Sequence, residues 1–125
     1  MAAPAVTSPY VTLDALYDMH GLPDHVELAD GQIIVTPLPA SGHGWVARTV
    51  FLALHAHVAS RRLGEVFGDG FGYELPIAAR PDTLRMPDAS FVRADRVPPL
   101  SRKRAFALAP DLAVDFFADA NLSGA

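Results

Sequence analysis

The chain has 125 residues, half of them hydrophobic, and a formal net charge of −4 at pH 7. This length suffices for one core and leaves little room for a second domain, while the acidic balance excludes whole-molecule attraction to nucleic acid, so any such binding has to come from a local basic patch. The absence of cysteine excludes disulfides and thiolate metal sites, no apolar run reaches the roughly 18 residues of a membrane span, and Met1 to Thr7 lacks a signal-peptide pattern, so a cytoplasmic protein with no membrane partner is expected.

Thr12 can cap a short helix over Leu13, Leu16, Tyr17 and Met19, which Gly21 and Pro23 stop. Next, His25-Val26-Glu27-Leu28-Ala29 and Gln32-Ile33-Ile34-Val35-Thr36 flank Asp30-Gly31. An Asp-Gly pair between apolar runs predicts a β-hairpin. Beyond Pro37 and Pro39, Val46, Val50, Leu54 and Val58 recur every fourth residue. They predict a helix over 43–63 with this face buried, Arg61 and Arg62 in its last turn and Gly64 as its left-handed stop. Trp45, near its start, is expected to pack rather than stack on a base.

Glu65-Val66-Phe67 and Tyr73-Glu74-Leu75-Pro76-Ile77 read as strands around a bend at Gly68, Gly70 and Gly72. Those glycines do not make a phosphate loop, because no Gly-Lys-Ser/Thr and no helix follows. A turn at 82–84, a strand over 85–93, a helical turn at 105–108 and an interior strand over 112–117 complete the chain's elements. Arg61-Arg62 and Arg102-Lys103-Arg104 are the two candidate basic patches, each also readable as the solvated end of an element.

Asp88 and Asp115 stand out because each lies on or beside an apolar run, Met86-Pro87-Asp88-Ala89-Ser90-Phe91-Val92 and Leu112-Ala113-Val114-Asp115-Phe116-Phe117. Acids so placed are costly to bury unpaired. A divalent metal is the simplest partner for converging carboxylates and would make a hydrolytic site. The plainer alternative makes Asp88 a strand-start residue bonding its own backbone. His20, His25, His43, His55 and His57 form neither a His-x-x-x-His pair nor a His-Glu-x-x-His signature, and His43 at a helix head reads as solvated or capping.

In order along residues 12–117, four segments resemble the Uma-two family, restriction-endonuclease-like members of the PD-(D/E)XK nuclease superfamily. They are Val26-Glu27-Leu28-Ala29-Asp30-Gly31-Gln32, Pro37-Leu38-Pro39 with His43, Met86 to Val92, and Ala109-Pro110-Asp111-Leu112-Ala113-Val114-Asp115. The resemblance implies Asp88 as the central metal-binding aspartate, Asp115 as the second acidic ligand and Glu27 as an accessory acid, with Mg²⁺ as cofactor and DNA as partner. Glu27 reads equally as an exposed member of an alternating strand. Phe117 stands where the superfamily motif has lysine, and the family's own lysine lies on a following helix that residues 118–125 do not resemble. Without that cation, weak or absent catalysis is implied.

The expected fold is α/β, a restriction-endonuclease-like mixed sheet with an amino-terminal hairpin and a long packing helix, incomplete at the carboxyl end. It forms one partial domain over 1–117 with a divergent tail over 118–125. The expected function is Mg²⁺-dependent hydrolysis of phosphodiester bonds in DNA. The alternative is a non-catalytic nuclease-fold remnant serving as an interaction module or homo-oligomer through its uncovered apolar surface.

Overall fold

A computed structural model describes residues 9–116. Helix α1 (Leu13–Asp18) begins as expected, with the Thr12 hydroxyl accepting the Ala15 N–H at 3.1 Å. Asp82 ties it down from outside, accepting the Tyr10 hydroxyl at 2.7 Å and the Leu13 N–H at 2.8 Å. These two bonds, that from Tyr10 foremost, hold the Asp82 carboxyl below its ordinary value, while the hydrogen bond to Asp82 is the main cause that pushes the Tyr10 phenol up to about 12.

A carboxylate whose pKa is depressed by folding adds stability above its unfolded value and loses it as pH falls through the folded one. Asp82→Ala should therefore lower Tm at neutral pH, and the gap from wild type should shrink below about pH 4. Thermal melts at pH 7 and about pH 3 check this. An equal gap at both would show that the Asp82 charge contributes nothing.

Strands β1 (Val26–Ala29) and β2 (Gln32–Val35) pair antiparallel from Val26↔Val35 to Ala29↔Gln32. Between them Asp30 and Gly31 both adopt positive φ, 47° and 79°, as a two-residue type I′ turn requires. Gly31 is needed twice over, since a Cβ there would also run into the Tyr10 ring.

Helix α2 (Ser41–Arg61) starts two residues before the expected position and ends in a left-handed Arg62 with φ 51°. Gly64 is not its stop. It opens β3 (Gly64–Phe67), where a Cβ would strike the Val92 carbonyl oxygen, so the glycine serves close strand approach and Arg62 takes the cap conformation instead. The buried face is also turned from the expected one. Ala47 and Val58 are buried, Val50, Phe51 and Leu54 half-buried, but Val46 is 45% exposed. A row at every fourth position drifts about 40° per step on a helix of 3.6 residues per turn, which sets Val46 roughly 120° from Val58. Trp45 is likewise 67% exposed rather than packed, with the Arg48 guanidinium 4.6 Å over its ring.

Strand β4 (Tyr73–Glu74) pairs with β5 (Leu84–Arg85), which also pairs with β1, giving a four-stranded sheet of order β2-β1-β5-β4. The single strand expected over 85–93 is broken at Met86-Pro87-Asp88, because Pro87 offers no N–H and the chain there crosses into a second sheet. That sheet has the order β3-β6-β7, with β6 (Ala89–Arg93) between β3 and β7 (Leu112–Val114), and α2 packs on β3 and β6. Both sheets are antiparallel. The parallel component of the expected mixed sheet is reduced to a bridge between Tyr73 and Phe106, which also replaces the helical turn expected at 105–108.

The interior strand expected over 112–117 differs as well. Among the described residues β7 is an edge strand with Leu112 and Ala113 exposed, since only β6 pairs with it. Phe117 and the tail over 118–125 lie outside the described residues. One core cluster joins Leu16, Val26, Leu28 and Leu84, and another joins Tyr73, Val92 and Phe106. The buried Tyr73 hydroxyl is satisfied by Ser90 at 2.6 Å. No helix among the described residues is long and apolar enough to cross a membrane.

Candidate functional site

The register of β6 and β7 builds the site. Ala89 pairs with Val114, so the next residues outward, Asp88 and Asp115, leave the ladder at the same end. They lock together through backbone and side chain. The Asp88 N–H donates to Asp115 Oδ1 at 3.1 Å, and the Phe116 N–H donates to Asp88 Oδ2 at 2.7 Å. Asp88 is 8% exposed, which explains why both of its oxygens are engaged, the other lying 3.1 Å from His43 Nε2 near the start of α2. His43 thus contacts an acid rather than standing free in solvent.

Glu27 comes from β1 in the other sheet and is equally enclosed, at 9% exposure, so the exposed-strand alternative for it fails. Its Oε2 accepts the Met86 N–H at 2.8 Å and Arg85 Nε at 3.1 Å, pinning the crossover segment two residues before Asp88. Asp115 sits at the open side. Partial burial pushes its carboxyl up, the charges of Asp88 and Glu27 add to the rise, and the Asp88 amide and Arg85 oppose it. The three acids named from the sequence are therefore within electrostatic reach of one another.

Carboxylate oxygens suit a hard divalent cation. Glu27 Oε1 and Asp115 Oδ2 accept no hydrogen bond among the described residues. As the side chains stand, however, no three His, Asp or Glu groups among those residues come together closely enough to hold a metal ion. The donor chemistry fits, while the arrangement is that of a hydrogen-bonded cluster.

Arg85 was not apparent from the sequence as part of this group. Its signal was its place three residues before Asp88, which gives no hint that the residue's Nε will meet an acid from β1. The two basic runs, by contrast, serve the fold where their contacts are defined. Arg104 bonds Asp14 and Glu74 and lies 4.4 Å over the Tyr17 ring, and Arg61 bonds its own helix at the His57 carbonyl. A pocket of about 410 Å³ lined by His55, Val58, Arg62 and Glu65 lies at the far end of α2. At 1.5 Å per residue this is roughly 20–30 Å along the helix from His43, too far to belong to the acids.

The hairpin, the long helix and the two small sheets thus bring the acids to one end of an α/β unit. The fold is similar to the crystal structure of a protein from Anabaena variabilis ATCC 29413 described as a "putative nuclease belonging to DUF820", with a TM-score of 0.71 and 19% identity, covering 91% of this chain. At that identity the likeness is one of fold, and this chain spans 64% of that protein's length. The Uma2 family, described as "Putative restriction endonuclease", matches residues 13–119, and the chain belongs to it. Comparison with curated proteins gives no match.

Proposed function

We propose that this chain carries the acidic core of a divalent-metal-dependent endonuclease that hydrolyses phosphodiester bonds in DNA, with Asp88 and Asp115 as metal ligands and Glu27 as accessory acid. The observation that carries the reading is the β6–β7 register, which sets two aspartates from different strands side by side at one end of a sheet. Bound Mg²⁺ would supply neutralisation of phosphate charge and a water of lowered pKa. His43 orients the Asp88 carboxylate through its Nε2 contact. Glu27 fixes the crossover backbone through Met86, and so fixes where Asp88 stands.

Calorimetric titration of Mg²⁺ or Mn²⁺ into the purified chain, repeated on Asp115→Asn, tests the reading. Saturable heat in the wild type and affinity reduced at least about tenfold in the variant are expected. No uptake by the wild type overturns it. If light scattering then shows a dimer, the non-catalytic interaction module becomes the better reading, favoured by exposed Leu112 on the β7 edge.

A further inference from the structure

The acid cluster concentrates negative charge where the proposed substrate is itself an anion, so a nucleic-acid phosphate reaching it needs a cation from the protein. Among the described residues Arg85 is the cation bonded to the cluster. Its guanidinium has five N–H donors, and only Nε is committed, to Glu27 Oε2 at 3.1 Å. The side chain is 40% exposed, and both terminal nitrogens make no hydrogen bond among the described residues. A planar fork with its two outer nitrogens unspent matches a phosphate's oxygens.

Those nitrogens do not stand alone. Arg85 also lines a cleft of about 320 Å³ with Ala29, Asp30, Leu75, Ile77, Thr83 and Arg80, so the two arginines there outnumber one carboxylate. Successive side chains of a strand alternate between faces, so Glu27 and Ala29 of β1 share one face of the first sheet, opposite the one that buries Leu28. The cleft therefore continues from the Glu27–Arg85 pair along that face to Arg80, an exposed residue whose side chain has no partner among the described residues.

We propose that Arg85 and Arg80 form a phosphate-binding cleft beside the acids, Arg85 taking the phosphate nearest the carboxylates and Arg80 a neighbouring one of the same nucleic-acid backbone. This rests on the nuclease reading for the identity of the ligand. The outer guanidinium nitrogens of Arg85 bind the phosphate while its Nε keeps the acid in place, so one side chain links substrate position to the position of Glu27. A single buried anion partner at Glu27 would be enough to hold Arg85 structurally; the cleft and the second arginine are what that role leaves unexplained.

The test is fluorescence anisotropy of a labelled 12-base-pair DNA duplex in EDTA over a series of KCl concentrations. Removing one arginine–phosphate pairing should reduce the slope of log K against log salt by about one. Arg85→Gln should weaken binding roughly tenfold, the effect of losing hydrogen bonds to a charged group, and reduce the slope. Arg85→Lys should restore the slope but not the full affinity. Arg80→Gln, which breaks no side-chain bond within the described residues, should reduce the slope without changing Tm and so keeps the test sound if Arg85→Gln folds poorly.

An unchanged slope in both glutamine variants, or a wild type that binds no duplex, overturns the proposal. The two readings separate cleanly through metal calorimetry on the same samples. Metal uptake with unchanged slopes sinks the arginine cleft and leaves the nuclease reading standing. Shifted slopes without metal uptake do the reverse, leaving a nucleic-acid-binding cleft on a protein that is not a metal-dependent hydrolase.

Discussion

Replacing Asp88 by asparagine should lower Mn²⁺ affinity and metal-dependent plasmid nicking by at least about a hundredfold, more than loss of any outer partner of a metal ligand. Asparagine retains one oxygen in place of the two carboxylate oxygens that Asp88 uses, one 3.1 Å from His43 Nε2 and the other accepting the Phe116 N–H at 2.7 Å. The variant can keep the Phe116 bond and should melt near the wild type. Asp88→Ala removes both acceptors from a position only 8% exposed, leaving the Phe116 N–H without its partner, and should cost about 1–3 kcal/mol besides the loss of activity. Comparing the two variants by nicking, calorimetry and thermal melting separates chemistry from architecture. Nicking unchanged in Asp88→Asn would remove Asp88 from the proposed metal site.

Asp88 and Asp115 were legible in the sequence because each breaks an apolar pattern, and a carboxylate in such a run has to be partnered or exposed, whereas Glu27 fits strand alternation and was marked only by the family resemblance. What the pattern does not carry is the partner. That Asp88 meets His43, 45 residues earlier, and Glu27 meets Arg85, 58 residues later, depends on how two sheets are joined at Pro87. Pro87 was readable as part of a motif but not as the crossover, since a proline beside a strand marks an edge or an end without saying which sheet lies beyond.

The fold divides in the same way. Thr12 and Asp30-Gly31 specify their structures within three or four residues, and both the cap and the hairpin form as the residues indicate. Gly64 and the 112–117 run depend on what lies across space. The same glycine that ends helices elsewhere is required here by the Val92 carbonyl, and an apolar run that commonly fills a sheet interior has one strand neighbour among the described residues.

That distinction carries the second large effect, on stability. Leu28 of β1 is fully buried, packs with Leu16, Val26 and Leu84, and stands on a strand flanked by both β2 and β5. Leu28→Ala should cost roughly 2–5 kcal/mol, because strands on both sides restrict collapse of the cavity it leaves. In a domain whose total stability is about 5–15 kcal/mol, that is a large part of the whole. Leu54→Ala on the half-buried flank of α2 should cost less, about 1 kcal/mol, although the four-residue spacing of the helix makes Leu54 look as much a core residue as Leu28.

Urea denaturation of both variants, with equal m-values confirming that the unfolded states are alike, checks the order. The consequence reaches the site as well. Leu28 is the chain neighbour of Glu27, whose carboxylate holds Met86 and Arg85, so a cavity behind β1 should also loosen the crossover that positions Asp88 and reduce metal affinity in the folded variant. A Leu28→Ala cost below about 0.5 kcal/mol, the range of ordinary surface changes, would show that the hairpin is an attachment to this fold and not the strand pair on which the acid cluster rests.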